Sequence, residues 1–306
     1  MNNNKLIARI GWPRLIIAVF LVVLLVLIQT TGMGLEGLVS DALRRFGQYG
    51  VLVLALVVGA ALASAIGVGY GFLLNRVKGS EMTVSTYIGF SIIAFMNIAW
   101  LTLPFTRGEL IWAIGGSGLR TTLTLDSAFG GVLNNFLAFT IPGTKIIIPT
   151  GLWLFFFAAC FLVWLFLRSK VGMAMSAAGS NPSFARANGI NVDKMRILGT
   201  ALSTALGAIG IIVYAQSYGF LQLYNAPLMM SFSCVASVLI GGASIGRARV
   251  SHAIIGTLLF QSLMTLGLPV ANNIIPVANL SEVMRLIISN GIILYALTKV
   301  GGGTSK

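Results

Sequence analysis

Acidic side chains are nearly absent from this chain: seven Asp and Glu stand against twenty Lys and Arg in 306 residues. Those seven are Glu36, Asp41, Glu81, Glu109, Asp126, Asp193 and Glu282, and all fall between apolar runs or at their ends. No paired-carboxylate acid–base site can be assembled from them. No ionisable group sits mid-run either, where a proton- or sodium-coupled carrier keeps one. The single histidine, His252, excludes a multi-histidine metal centre and, with the scattered acids, a Ser/His/Asp arrangement. Cys160 and Cys234 are the only cysteines, and both lie in apolar runs where a thiol is an ordinary packing residue. No phosphate loop is present, because the terminal Gly-Gly-Gly-Thr-Ser-Lys lacks the strand–loop–helix setting.

Charge of any sign is scarce. Only 9% of residues are charged, against about 25% in a soluble domain. What fills the space is hydrophobic: 57% of residues, with a mean hydropathy of +0.94. Apolar stretches of about 20 residues recur, long enough to cross a bilayer as helices and too long for barrel strands. The expected fold is therefore all-α, a polytopic transmembrane helical bundle forming a single domain over residues 1–306. On a soluble protein the net charge of +13 would point to nucleic acid. In a membrane protein it reflects basic cytoplasmic loops, so a lipid bilayer and no nucleic acid is expected.

About eight spans are predicted. Lys5, Arg9 and Arg14 flank Leu15–Ile28, which reads as an uncleaved first helix rather than a signal peptide. Leu35–Gln48 carries apolar residues at three- and four-residue spacing and reads as an amphipathic helix on the membrane surface. The remaining spans are Gly50–Leu74, Met82–Leu103, Gly151–Leu167, Ile197–Ser217, Leu228–Ile245, Val250–Leu268 and Ser281–Thr298. Pro104–Thr150 is a long polar interval with short helices or turns, and Tyr218–Pro227 a short aromatic loop. With both termini inside, fourteen of the twenty Lys and Arg fall on the cytoplasmic side, five of them in residues 168–196. The bias sets an N-in/C-in topology.

That loop, residues 168–196, contains a helix signature in a polar setting. Asn181 is an N-cap residue, whose side-chain oxygen accepts from a free N–H one turn on. Pro182 occupies the first helical position, where its missing N–H costs nothing. Ser183 to Ala187 make up the short helix, and Gly189 closes it in a left-handed conformation. Uncharged polar residues also sit within the spans. Helix–helix hydrogen bonding is their ordinary role. The functional alternative is a weakly polar path for a neutral hydroxylated solute, with Asn97, Gln216, Gln261 and Asn290 as its candidates.

The run Gly172 to Val192, GMAMSAAGSNPSFARANGINV, resembles the cytoplasmic loop of the ABC-importer permeases for ribose, galactose and branched-chain amino acids. Ile240-Gly-Gly-Ala-Ser-Ile-Gly-Arg247, Gly256-Thr257 and Gly207–Ala215 look like that family's later segments. The resemblance implies a permease subunit without chemistry of its own. It also implies that the short helix is a coupling helix docking on a separate ATP-binding subunit. Asn181 and Pro182 would then start it, Phe184, Ala185 and Arg186 would make the contacts, and Gly189 would end it. The implied partners are that ATP-binding subunit, a second permease subunit, the same or a related chain, and an extracytoplasmic solute-binding protein. The implied place is the bacterial inner membrane. No cofactor is expected on this chain, since the partner uses the ATP. A sugar or nucleoside suits a path without fixed charge. The alternatives are a branched-chain amino acid permease of the same family, or a secondary carrier working alone.

Overall fold

A computed structural model describes residues 35–102, 122–125, 128–143, 147–223, 226–244 and 248–274, together with positions 287, 290, 291, 294 and 298. The expected spans Leu15–Ile28 and, apart from those single positions, Ser281–Thr298 lie outside the described residues. The chain forms two compact units, Met1–Leu54 and Ala55–Lys306. Helix α1 (Leu35–Arg76) is followed by α2 (Glu81–Thr102), strand β1 (Thr122–Thr124), α3 (Val132–Asn135), β2 (Phe139–Thr140) and β3 (Ile147–Ile148). Then come α4 (Thr150–Leu167), α5 (Lys170–Ser180), α6 (Pro182–Ala187), α7 (Val192–Tyr218), β4 (Phe220–Gln222), α8 (Ala226–Ile240) and α9 (Val250–Ile274).

Helix α1 corrects one expectation. Leu35–Gln48 is not a separate surface helix: residues Leu35–Arg76 form one helix of 42 residues. At 1.5 Å per residue it is about 63 Å long, roughly twice the bilayer's hydrocarbon thickness. A change in composition at Gln48-Tyr49-Gly50 suggested a break. No proline enforces one, and an unbroken helix satisfies every backbone group inside the segment, which an apolar solvent rewards.

Among the described residues, three helical stretches are long and apolar enough to cross a membrane: Leu43–Arg76, Thr150–Leu167 and Val192–Tyr218. Thr83–Ala99, Met230–Ile240 and Val250–Leu266 are shorter apolar helices. At most 11% of the apolar window in any of the three long stretches is buried within the chain. The large side chains face outward instead, as Trp153, Phe157, Phe161 and Trp164 do along α4. A surface of this kind needs lipid or another membrane chain against it. Cys234, expected to pack inside, is exposed on α8.

Because lipid competes equally for large apolar side chains, helices in a bilayer associate where small residues let backbones approach. Helices α1 and α7 run antiparallel along such a seam. A Cβ on Gly59 would lie 2.8 Å from Ile212 Cδ1, on Gly67 2.8 Å from Ala201 Cα, and on Gly71 2.8 Å from Ile197 Cα. As the numbers rise along α1, they fall along α7. A second close crossing joins α8 to α9, where a Cβ on Gly241 would meet the His252 carbonyl and one on Gly256 the Ser237 carbonyl. These glycines belong to two of the later segments that resemble the family, so their role there is close approach.

Two antiparallel ribbons qualify the all-α expectation. Strand β1 pairs with β4 in the register Thr122↔Gln222, Leu123↔Leu221 and Thr124↔Phe220. Strand β2 pairs with β3, Phe139 opposite Ile148. The first ribbon folds part of the long polar interval onto the loop after α7.

Gly67→Ala should destabilise the protein by about 1–3 kcal/mol, since the Ala201 backbone, as well as the Thr204 side chain, blocks the added methyl. Gly69→Ala, with nothing within 4 Å of its Cβ position, should be neutral or stabilising. Thermal unfolding of the two variants in one detergent checks the contrast.

Candidate functional site

Residues 168–196 fold into a compact module outside the apolar parts of α4 and α7. Ser169 caps α5: its Oγ accepts from Gly172 N–H at 3.2 Å and donates to the Phe166 carbonyl at 2.6 Å. Asn181 serves two helices. Its backbone N–H donates to the Ala177 carbonyl at 3.0 Å, closing α5. Its Oδ1 accepts from Phe184 N–H at 3.0 Å, opening α6, with Pro182 at the first helical position.

The far end of α6 is as tightly specified. Gly189 has φ +77°, a left-handed conformation that glycine adopts without a Cβ penalty. Its N–H donates to the Arg186 carbonyl, and Ile190 N–H donates to the Ala185 carbonyl, both at 3.0 Å. That pair of bonds is the Schellman motif. Asn188 Nδ2 adds a bond to the Phe184 carbonyl at 2.8 Å. Asn191 then caps α7, its Oδ1 accepting from Lys194 N–H at 3.0 Å.

A small apolar core holds the module together. Ala178 of α5, Ala185 of α6 and Val192 of α7 are buried against one another, with Ala177, Ile190 and Met195 around them. Ala185 is 1% exposed. The structure therefore places Ala185 inside the module rather than on the contact face expected for it. One face of a two-turn helix must be buried for the helix to stay put, and Ala185 lies on that face. Phe184, 64% exposed, and Arg186 point outward. A large exposed aromatic beside a cation on a rigid helix is a surface suited to a protein partner.

The loop between α1 and α2 fastens to the start of α7. Asn75 Nδ2 donates to the Asp193 carbonyl at 2.9 Å. Lys78 Nζ lies 2.8 Å from Asp193 Oδ1, and Arg196 Nη1 lies 3.3 Å from Glu81 Oε1. Asp193 also feels the charges of Arg186 and Arg196. Sequence reasoning missed this junction. Its only trace was that charge counting put Arg76, Lys78 and residues 168–196 on one side of the membrane. Glu81 also shapes its own loop, its Oε2 accepting from Gly79 N–H at 2.9 Å. Backbone N–H groups of Glu81 and Gly79, and then the Arg196 charge, hold its carboxyl below the usual value.

The four candidate path residues have unrelated surroundings, and no hydrogen bond among the described residues joins any two of them. Gln216 is fully buried. Its Oε1 accepts from Leu133 N–H at 3.1 Å, and its backbone carbonyl accepts from Gly131 N–H at 2.7 Å. With Asn134 Nδ2 bonded to the Ser217 carbonyl at 2.8 Å, the end of α7 holds α3 in place. Nε2 of Gln216 has no partner among the described residues. Asn97 is half-buried, its Oδ1 buried and without a partner among the described residues. Gln261 is exposed and reaches only Thr265 on its own helix, at 3.5 Å. Asn290 is helical and exposed.

Outward-facing apolar helices joined by a capped polar module define a multi-pass helical membrane protein. The chain belongs to the family described as the branched-chain amino acid transport system / permease component, whose model matches residues 13–297. It is a transport subunit rather than an enzyme. It is similar to the ribose import permease protein RbsC of Escherichia coli K12, 23% identical over 92% of this chain and 80% of that protein. It is also similar to the autoinducer 2 import system permease protein LsrC of Yersinia pestis strain Pestoides F, 25% identical over 68% of this chain and 57% of that one. No solved structure matches the chain.

Asn181→Ala should cost α6 about 1 kcal/mol of cap energy, and Gly189→Ala about 1 kcal/mol from the left-handed backbone. Amide exchange at Phe184 and Ile190 should rise in the respective variants. Lowering pH should release the Gly79–Glu81 contact. Because the folded-state pKa of Glu81 is depressed, its contribution is full at neutral pH and is lost as pH falls through that lowered value. A pH titration of the Gly79 amide resonance should show this transition, and Glu81→Gln should abolish it.

Proposed function

We propose that this chain is the permease subunit of an ATP-driven importer that moves a neutral, sugar-type solute across the bacterial cytoplasmic membrane. The observation that carries the reading is the α5–α6 module: a rigid, doubly capped corner presenting Phe184 and Arg186 to solvent. In this reading α6 is the coupling helix, Asn181, Pro182 and Gly189 fix its ends, and Ala185 anchors it. Phe184 and Arg186 meet the ATP-binding subunit. The same reading carries eight spans with both termini inside, a second permease subunit, and an extracytoplasmic binding protein that delivers the solute. ATP-driven approach of two nucleotide-binding subunits would pull the coupling helices together and shift the permease between two packed states.

The solute class rests on two supports. The similar proteins are named for ribose and autoinducer 2. All seven acids lie outside the middle of the apolar runs. A passage without fixed charge suits hydroxyl-rich neutral molecules, whereas a zwitterion must shed two strongly hydrated charges. The family description supports branched-chain amino acids as the second reading. A carrier working alone would need an ion-coupling group within the spans.

Phe184→Ala and Arg186→Glu should each weaken association with the ATP-binding subunit by about tenfold, without loss of membrane insertion. Co-purification from membranes measures this, and full retention of the subunit by both variants would overturn the docking assignment. Uptake of labelled ribose and leucine into vesicles holding the assembled transporter separates the two solute readings. Uptake that persists without the ATP-binding subunit would favour the lone carrier.

A further inference from the structure

The junction at the foot of α1, α2 and α7 goes beyond a docking helix. The α1–α7 seam follows one register: Gly67 lies against Ala201, Gly71 against Ile197, and Asn75 bonds to the Asp193 carbonyl. Each step of four residues up α1 is a step of four down α7. The last contact of the seam is thus a side-chain amide holding the first turn of α7, immediately beside the module. Lys78 then pairs with Asp193, and Arg196 with Glu81.

The two ion pairs have opposite polarity. In one the cation is on the α1–α2 side, and in the other it is on α7. A slip of about one turn brings Lys78 toward Arg196 in one direction and Glu81 toward Asp193 in the other, so like charges oppose the neighbouring registers. All four side chains are partly exposed, so each pair is weak alone, and its value lies in specifying position.

We propose that Asn75, Lys78 and Glu81 are positioning residues that lock the coupling module to α1 and α2, so that displacement of the module moves those helices together with α7. This rests on α6 being the docking helix. Without the lock, force applied at α6 would reach α4 and α7 directly, and α1 only through its seam with α7. With it, four helices move as one body.

The test uses the full chain assembled with its ATP-binding subunit in nanodiscs, with Cys160 and Cys234 replaced by serine. Nitroxides are placed at Ser176 on α5 and Thr83 on α2, both exposed and both outside α6. In the otherwise native chain, the distance distribution between the labels should be narrow and unchanged between nucleotide-free and ATP–vanadate-trapped states. Lys78→Met with Glu81→Gln should broaden it and introduce a shift on trapping, while the amount of co-purified ATP-binding subunit is retained. Lys78→Arg should preserve the narrow distribution, which a merely damaged fold would not do. A shift on trapping in the native chain as large as in the double variant overturns the lock while leaving docking intact. Failure of the ATP-binding subunit to co-purify with the unlabelled native chain overturns the docking reading, and the lock with it.

Discussion

Close backbone approach between α1 and α7 is the constraint on which the rest of the membrane part depends. In water, apolar helices are driven together because solvent is worse than a neighbour. In a bilayer, lipid is as good a neighbour as leucine, and that drive is gone. What remains is contact too intimate for a lipid chain to match. Gly59, Gly67 and Gly71 supply it, with Ile212, Ala201 and Ile197 lying where side chains would otherwise be. The same device recurs at Gly241 and Gly256 between α8 and α9. Large residues are left to face outward, so the chain's hydrophobicity defines its solvent more than its core.

What was legible in the sequence was what is decided locally. The helix at Pro182–Ala187 could be read because Asn181, Pro182 and Gly189 each act on backbone groups within a few residues. The apolar bodies of α2, α4, α7 and α9 were likewise visible as runs. Non-local features were hidden. Nothing in Thr122–Thr124 announces that it will pair with Phe220–Gln222 almost a hundred residues later. The Lys78–Asp193 and Glu81–Arg196 pairs join segments 115 residues apart, and charge counting places them on one side of the membrane without choosing partners. The continuity of α1 was missed for another reason: a shift in composition was taken for a shift in structure, although no breaker stood there.

Ala185 and Gln216 show how burial revises a role assigned from residue type. Ala185 lies within the helix proposed to dock on a partner, yet its side chain serves the module's own core. Gln216 lies within a span, where a polar side chain suggests a passage. Its amide oxygen instead takes a backbone N–H from the segment packed against it. In both, neighbours distant in sequence decide what the residue does. Phe184, by contrast, stands exposed on α6.

The double duty of Asn181 has a consequence for how this loop can change over time. It ends α5 and begins α6 with no residue between them, and its own φ of −148° and ψ of 91° set the angle of the corner. A joint of one residue has no slack. Inserting a residue into either helix beside it would rotate everything beyond by about 100°, turning Ala185 away from its pocket and Phe184 toward the chain. Substitutions on the outer face of α6 leave the corner intact and adjust what it meets. The outer face of α6 is thus free to vary in sequence while the loop is closed to variation in length, as a key is recut only on a blank of fixed size.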